Sequence, residues 1–225
     1  MKSQRLAQLS LIGCLLLSTS GCIIHVGGHN DGSSNSHGDI SSVLGDLEVD
    51  ANSDVSDVST VNGNITINDN VQASELDTVN GNISIAQNVR INSASTVNGD
   101  IDAESQLVVS NGLSTVNGDI TLATGAEVGS DISTVNGAIS LRNAQVKGQV
   151  ETKNGNISLR DATRIDGDIV FLERDEKRWF SGELPTLRID ASSEVQGKIK
   201  LYRQVVLEIE NPDLLARVER LYQKK

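Results

Sequence analysis

Aromatic side chains are almost absent from this chain of 225 residues. They make up 2% of it, and all five follow residue 170: Phe171, Trp179, Phe180, Tyr202 and Tyr222. A core within the first 170 residues must therefore consist of aliphatic side chains. The composition excludes a globule packed around aromatic rings, and the length fits one domain of ordinary size.

Positive charge is also scarce. The chain has 19 lysines and arginines against 30 aspartates and glutamates, a net charge of -11. The excess lies in residues 38–160, with 5 basic and 16 acidic groups, whereas residues 161–225 have 12 and 13. An acidic surface repels phosphate backbones, so we expect no binding to nucleic acid.

The N-terminus has the pattern of a secretory signal. Lys2 and Arg5 precede an apolar segment, Leu6 to Leu17, which is too short to cross a membrane as a helix. Small residues then lead to Cys22. We predict a signal peptide over residues 1–21.

The Ser20-Gly21-Cys22 ending resembles the lipobox of bacterial lipoproteins, although Thr19 stands where that family usually has Leu. The resemblance implies a lipid thioether on Cys22, and Ile23 after it implies delivery to the outer membrane. Cys14 is a rival site with a shorter apolar region, and an unlipidated signal is the third alternative. The last would leave a free thiol in an oxidising compartment.

Residues 22–37 have the composition of a flexible tether, rich in Gly, Ser and Asn. The three histidines of the chain, His25, His29 and His37, all lie in it. Histidine-rich segments bind transition metals, but the glycines between His25 and His29 disfavour a helix that would align them. We therefore expect a solvated spacer with no metal and no cofactor.

One motif occurs six times, in forms such as STVNGNITI and STVNGDITL. Its glycines are spaced 18 or 19 residues apart, and this regularity indicates a repeat architecture. The motif glycines are Gly63, Gly81, Gly99, Gly118, Gly137 and Gly155.

Apolar residues alternate within each unit, as in Val61, Ile65 and Ile67, a pattern typical of strands with one buried face. We predict an all-β fold, a single-stranded parallel β-solenoid (β-helix) over residues 38–209, with 18–19 residues per coil. Successive strands would lie about 4.8 Å apart. Antiparallel hairpins would also repeat Asn-Gly, but only a short Ser-Thr-Val run precedes each pair.

The Asn-Gly pair predicts a corner, with glycine at positive φ. Stacking in register would align the asparagines into a ladder of hydrogen-bonded amides, with the Ser-Thr pairs forming a second polar ladder. The ladder asparagines are Asn62, Asn80, Asn98, Asn117, Asn136 and Asn154.

The residue after each glycine leaves a calcium site open as an alternative. An oxygen-rich strip would consist of Asn64, Asn82, Asp100, Asp119 and Asn156. The GGxGxD nonapeptide of calcium-binding solenoids is absent, however, and Ala138 interrupts the strip. We favour structural ladders and predict no metal.

An insertion at residues 173–185, with the sequence ERDEKRWFSGELP, carries the adjacent Trp179 and Phe180. These rings either pack on the flank of the solenoid or form a contact surface, since loops commonly carry function. The partner would be an envelope protein or a glycan.

Residues 210–225 predict an amphipathic α-helix that caps the last coil. Asn211 is a suitable N-cap, Pro212 suits the first helical position, and Asp213 complements the helix dipole. Such a cap would cover the exposed strand edges. A basic helix facing a membrane is the alternative.

The stacked VNG(N/D)I(S/T)(I/L) units resemble the adhesin-like β-strand-repeat proteins of bacteria and, more distantly, the polymer-forming bactofilins. The resemblance covers most of residues 38–205. It implies a parallel β-solenoid with a role in the cell envelope or in assembly, and it transfers no catalytic residue. Bactofilins lack a lipoprotein signal and polymerise through uncapped ends, so the predicted signal and cap disfavour that branch.

Enzymes built on β-helices place carboxylates or basic groups in a groove, often with aromatic platforms for sugars. Residues 38–160, which contain the six motifs, have no aromatic side chain and no histidine. We therefore predict a non-enzymatic, lipid-anchored envelope protein with no catalytic residues. Its role would be structural, adhesive or protein-interacting, and the chain would be monomeric with at most weak self-association.

Overall fold

The structure, a computed structural model, describes residues 24–26, 38–173 and 183–223. They form an all-β parallel solenoid of about nine coils, as the repeat predicted. Among these residues, no helix has the length and apolar character needed to span a membrane.

Short strands build every coil. In chain order they are β1 (Ile24–Val26), β2 (Ile40–Leu44), β3 (Leu47–Val49), β4 (Val58–Asn62), β5 (Ile65–Ile67), β6 (Glu75–Asn80), β7 (Ile83–Ile85), β8 (Arg90–Ile91), β9 (Ser93–Asn98), β10 (Ile101–Ala103), β11 (Val108–Val109), β12 (Leu113–Asn117), β13 (Ile120–Leu122), β14 (Glu127–Val128), β15 (Ile132–Thr134), β16 (Ile139–Arg142), β17 (Gln145–Val146), β18 (Val150–Thr152), β19 (Ile157–Arg160), β20 (Arg164–Ile165), β21 (Ile169–Phe171), β22 (Thr186–Ile189), β23 (Glu194–Val195), β24 (Ile199–Leu201), β25 (Val206–Ile209) and β26 (Val218–Arg220).

Three parallel sheets form the sides of the solenoid. Sheet A has the order β1-β3-β5-β7-β10-β13-β16-β19-β22-β25, and sheet B has the order β2-β4-β6-β9-β12-β15-β18-β21-β24-β26. Sheet C has the order β23-β20-β17-β14-β11-β8. Within a coil the chain runs through sheet B, then A, then C, so every strand pairs with the neighbouring coils.

The register places equivalent motif residues side by side. Thr60 pairs with Thr78, which pairs with Thr96, and Asn80 pairs with Asn98. All described pairings are parallel between successive coils, so antiparallel hairpins are excluded.

The core is aliphatic, as the lack of aromatic residues predicted. Ile65, Ile67 and Leu76 are fully buried, with equivalent residues in the other coils, and three sheets facing inward leave little room for rings. Phe171 on β21 is the fully buried aromatic side chain among the described residues.

The expectation that the motif valine faces the core is wrong. Val61 is 40% exposed, whereas Thr60 before it is 4% exposed. Thr60 occupies the inward position next to the corner, and its hydroxyl donates a hydrogen bond to the backbone carbonyl of Gly45. Val61 therefore points outward.

The predicted C-terminal α-helix over residues 210–225 is also wrong. A 3₁₀ helix spans Pro212–Arg217, and β26 follows it, pairing in parallel with β24. The predicted N-cap is present, because Oδ1 of Asn211 accepts a hydrogen bond of 3.0 Å from the N–H of Asp213. The edge of sheet B offers the following residues a full set of backbone hydrogen bonds, which ends the helix after six residues.

The predicted tether is interrupted at residues 24–26. Strand β1 pairs in parallel with β3 and so adds the first strand to sheet A. The sequence favoured a flexible chain here because the surrounding residues are glycine, serine and asparagine, but Ile24–Val26 has the apolar alternation of a short strand.

Candidate functional site

The corner between sheets B and A brings the motif residues together, and its glycines are required for a reason that differs from the predicted one. A Cβ on Gly81 would overlap the carbonyl of Gly63, and a Cβ on Gly99 would overlap that of Gly81. Among the described residues, the glycines with positive φ are Gly45 and Gly125. The expectation of positive φ at the motif glycines is therefore wrong, and close stacking of backbones excludes side chains there.

The buried threonines satisfy the carbonyls of these glycines. Oγ1 of Thr96 donates to the carbonyl oxygen of Gly81 at 3.0 Å, and Oγ1 of Thr115 donates to that of Gly99 at the same distance. The threonines of the other motif coils make the same bond, and the series begins at Thr60 and ends at Thr152. The predicted second polar ladder is thus split, with the threonines inside the corner and the serines outside.

The six motif asparagines form a continuous exposed ladder. Nδ2 of each asparagine after Asn62 donates to Oδ1 of the asparagine one coil earlier, at 2.7–2.8 Å. The bonded pairs run Asn80 to Asn62, Asn98 to Asn80, Asn117 to Asn98, Asn136 to Asn117 and Asn154 to Asn136. Each amide thus holds two coils in register.

Arg203 terminates this ladder at its C-terminal end. Its Nη1 donates to Oδ1 of Asn154 at 3.0 Å and to the carbonyl of Lys153 at 2.7 Å. The arginine lies two coils after Asn154. In the coil between them, residues 172–185 stand in place of the motif corner, so that coil contributes no asparagine to the ladder. The last amide oxygen of the ladder therefore has a cationic donor.

The residues proposed for a calcium strip hold the backbone instead. Oδ1 of Asn64 accepts the N–H of Asn82 at 2.9 Å, and Oδ1 of Asp100 accepts the N–H of Asp119 at 2.8 Å. Within the described part of the chain, no group of three or more His, Cys, Asp or Glu residues is placed to hold a metal ion.

Apart from Gly45, which precedes β3, the positive φ values of the described residues lie at the corner between sheets A and C. Asn70 and Asn88 have φ of 59° and 58°, and Gly125 takes the same place at 83°. Sequence reasoning missed this corner, although an asparagine recurring at intervals of 18 residues was a signal for it.

Two carboxylates, Asp168 and Asp102, have pKa values shifted in opposite directions. The backbone N–H of Lys198 and then the Lys200 ammonium hold the pKa of Asp168 below its ordinary value. Burial, with the charges of Asp100 and Asp119 adding to it, raises the pKa of Asp102.

Three residues singled out in the sequence, Cys22, Trp179 and Phe180, lie outside the described residues. No family model matches this chain, and neither a curated protein nor a solved structure does. The geometry of the described coils is therefore the basis for assigning a function.

Proposed function

We propose that this chain is a non-enzymatic protein of the bacterial cell envelope, anchored by a lipid on Cys22. The solenoid has a structural, adhesive or protein-interaction role. The observation that carries this proposal is the regular stack of corners from Gly63 to Gly155, in which the ladder side chains bond to the adjacent coils. Nine coils about 4.8 Å apart make a shaft of roughly 40 Å, long enough to hold its far end clear of a membrane surface.

The sequence pattern supports the envelope location. The Ser20-Gly21-Cys22 ending resembles a lipobox, and Ile23 fits delivery to the outer membrane. The resemblance to adhesin-like β-strand-repeat proteins supports the same compartment. Self-association, if present, would be weak, because the 3₁₀ helix and Leu214 cover part of the last coil.

Metabolic labelling with radioactive palmitate tests the anchor. We expect the chain to take up label and to fractionate with outer membranes, and Cys22→Ser to lose both. Cys14→Ser is the matched control and should label normally. Continued labelling of Cys22→Ser would contradict the anchor.

A binding role for the insertion is the second candidate. Strands β21 and β22 keep their pairings with β18 and β19 although the insertion separates them, so the solenoid does not depend on a short corner there. We expect replacement of Trp179 and Phe180 by alanine to abolish capture of a purified envelope protein or glycan without lowering the melting temperature. A lowered melting temperature would instead show that the rings pack on the solenoid.

A further inference from the structure

A shallow groove of about 480 Å³ crosses the outer face of sheet A over strands β13, β16, β19 and β22. It lies on one side of the solenoid and begins at the row of residues that follows the motif glycines. The residues that matter for its chemistry are Ala138, Ser140, Arg142, Asn156, Ser158, Arg160 and Arg188.

One end of the groove has a backbone donor with no acceptor. In the coils before it, the residue after the motif glycine accepts the N–H of its counterpart one coil later, as Asp119 does for Ala138 at 2.7 Å. The side chain of Ala138 has no oxygen atom that could accept a hydrogen bond from the next coil. The N–H of Asn156 consequently has no acceptor among the described residues, while its side chain is engaged by the N–H of Thr186 at 2.8 Å.

The middle of the groove has a second donor without a partner. Among the described residues, the hydroxyl oxygen of Ser158 is the one buried side-chain polar atom that makes no hydrogen bond. It lies in the outward row of sheet A between Ser140 and Arg188. Buried polar groups in folded proteins are nearly always satisfied, so this hydroxyl needs a partner that the described residues do not supply.

Arginines surround the other end. Arg142 and Arg160 are adjacent by register, and Arg188 follows on the next strand. Arg142 pairs with Asp161 at 3.2 Å and Arg188 with Glu208 at 2.5 Å, but these side chains are about half exposed, and exposed pairs are weak. Arg160 is exposed and has no ion pair within the described structure.

We propose that this groove binds a small acidic sugar, that is, a sugar that carries a carboxylate, sulfate or phosphate group. The groove would hold the oxyanion of that group. The donors that line it are the guanidinium groups, the Ser158 hydroxyl and the Asn156 N–H. Guanidinium groups bind oxyanions in a bidentate manner, and serine hydroxyls pair with sugar hydroxyls.

The acidic surroundings limit the size of the ligand. The outward row of sheet A runs from Asp102 through Thr121, Ser140, Ser158 and Arg188 to Glu208. The arginines occupy only three adjacent strands, β16, β19 and β22, a width of roughly 10 Å, and carboxylates lie on both sides. A long polyanion or an anionic bilayer would extend over the carboxylates at both ends of the row, whereas one or two sugar rings fit between Asp102 and Glu208.

Calorimetric titration of the full chain in detergent, in buffer free of phosphate and sulfate, tests the proposal. The probes are glucuronate, glucose 6-phosphate, inorganic sulfate, neutral glucose, and vesicles containing phosphatidylglycerol. We expect an acidic sugar to bind and neutral glucose not to bind. We expect Arg160→Gln to weaken binding by at least about tenfold, the effect of losing one charged hydrogen-bonding group.

Ala138→Asp is the sharper variant, because it supplies the missing acceptor to Asn156 and adds a negative charge, as Asp119 does one coil earlier. We expect it to fold normally and to abolish binding. Arg90→Gln, on sheet C, is the matched control and should bind normally.

Three results would overturn the proposal. The first is that no anion binds at about 10 mM, a concentration at which even weak sites are occupied. The others are that neutral glucose binds equally well, or that both groove variants bind as the unchanged chain does. Binding to vesicles or to sulfate but to neither sugar would also overturn it, in favour of a headgroup or a free anion. These results do not involve Cys22, so they leave the envelope proposal to its own test.

Discussion

The coils before and after Ala138 differ in regularity. From β4 to β13 every corner repeats the same set of bonds, with glycine on glycine, threonine on the glycine carbonyl, and asparagine on asparagine. After Ala138 the post-glycine ladder is broken, an insertion replaces one corner, and most of the arginines and lysines appear. In the regular coils the polar groups of the corners therefore form hydrogen bonds with one another. In the irregular coils, hydrogen-bond donors such as the Ser158 hydroxyl have no partner among the described residues.

The largest expected effect comes from filling a glycine in the regular coils. In Gly99→Ala the new Cβ would overlap the carbonyl of Gly81, and neither backbone can move without breaking the register. We expect a loss of about 3 kcal/mol in the free energy of unfolding, measured by urea denaturation.

Gly125→Asn is the matched control for that variant. Gly125 has positive φ, only ordinary van der Waals contacts of 3.6 Å or more around its Cβ position, and asparagine in the equivalent place of other coils, such as Asn88. We expect little change in stability, and a large loss here would contradict the distinction between the two corners.

Removal of a buried hydroxyl should have the next largest effect. Thr96→Val keeps the shape of the side chain but leaves the carbonyl of Gly81 without its donor. We expect a loss of about 1–2 kcal/mol in unfolding free energy. Thr96→Ser, which keeps the donor, should lose less, and equal losses would indicate packing rather than hydrogen bonding as the cause.

The exposed amide ladder should contribute less per residue. Asn98→Ala removes two amide hydrogen bonds, those to Asn80 and from Asn117, and we expect a loss of about 1 kcal/mol. Ala138→Asn in the irregular coils should do the reverse, because it gives the N–H of Asn156 an acceptor. A lowered melting temperature for Ala138→Asn would show that the broken ladder is not a simple defect.

The smallest expected effects are those of pH. The lowered pKa of Asp168 means that its contribution to stability is present above the ordinary pKa of aspartate and is lost as pH falls through the folded-state value. The carboxylate is partly exposed and its ion pair with Lys200 is screened by solvent, so Asp168→Asn should cost no more than about 1 kcal/mol near neutral pH and nothing in acid.

Asp102 should respond in the opposite direction. Its pKa is raised, so its charge destabilises the fold at neutral pH and protonation relieves this as pH falls. Asp102→Asn should therefore raise the melting temperature slightly at neutral pH and not at all in acid. A loss of stability in Asp102→Asn at neutral pH would contradict the assigned cause.

The sequence was sufficient for the parallel solenoid and its approximate bounds, because a period of 18–19 residues with alternating Ile and Leu has few other solutions. It could not show which residue of the Thr-Val pair faces inward, since both are β-branched and the decision depends on the glycine carbonyl across the corner. It predicted an α-helix at Leu214 and Val218 because the spacing is helical, whereas the edge of β24 decides the structure of β26.

The groove could not be read from the sequence for a different reason. Ala138 is visible as an exception in the strip, but only the fold shows that it deprives Asn156 of an acceptor. Arg142 and Arg160 are 18 residues apart, which signals adjacency once the period is known, while Arg188 is brought beside them across the insertion.

All amides of the Asn ladder point the same way, each N–H toward the preceding coil and each carbonyl toward the next. Their dipoles therefore add along the axis, as those of peptide groups do in an α-helix. The ladder therefore carries a partial negative charge at its C-terminal end, and Arg203 is bound there as a cation is at the end of a helix. The two ends of the ladder differ in electrostatic character, with the amide of Asn62 at the first coil and the amide oxygen of Asn154, bonded to a guanidinium group, at the last.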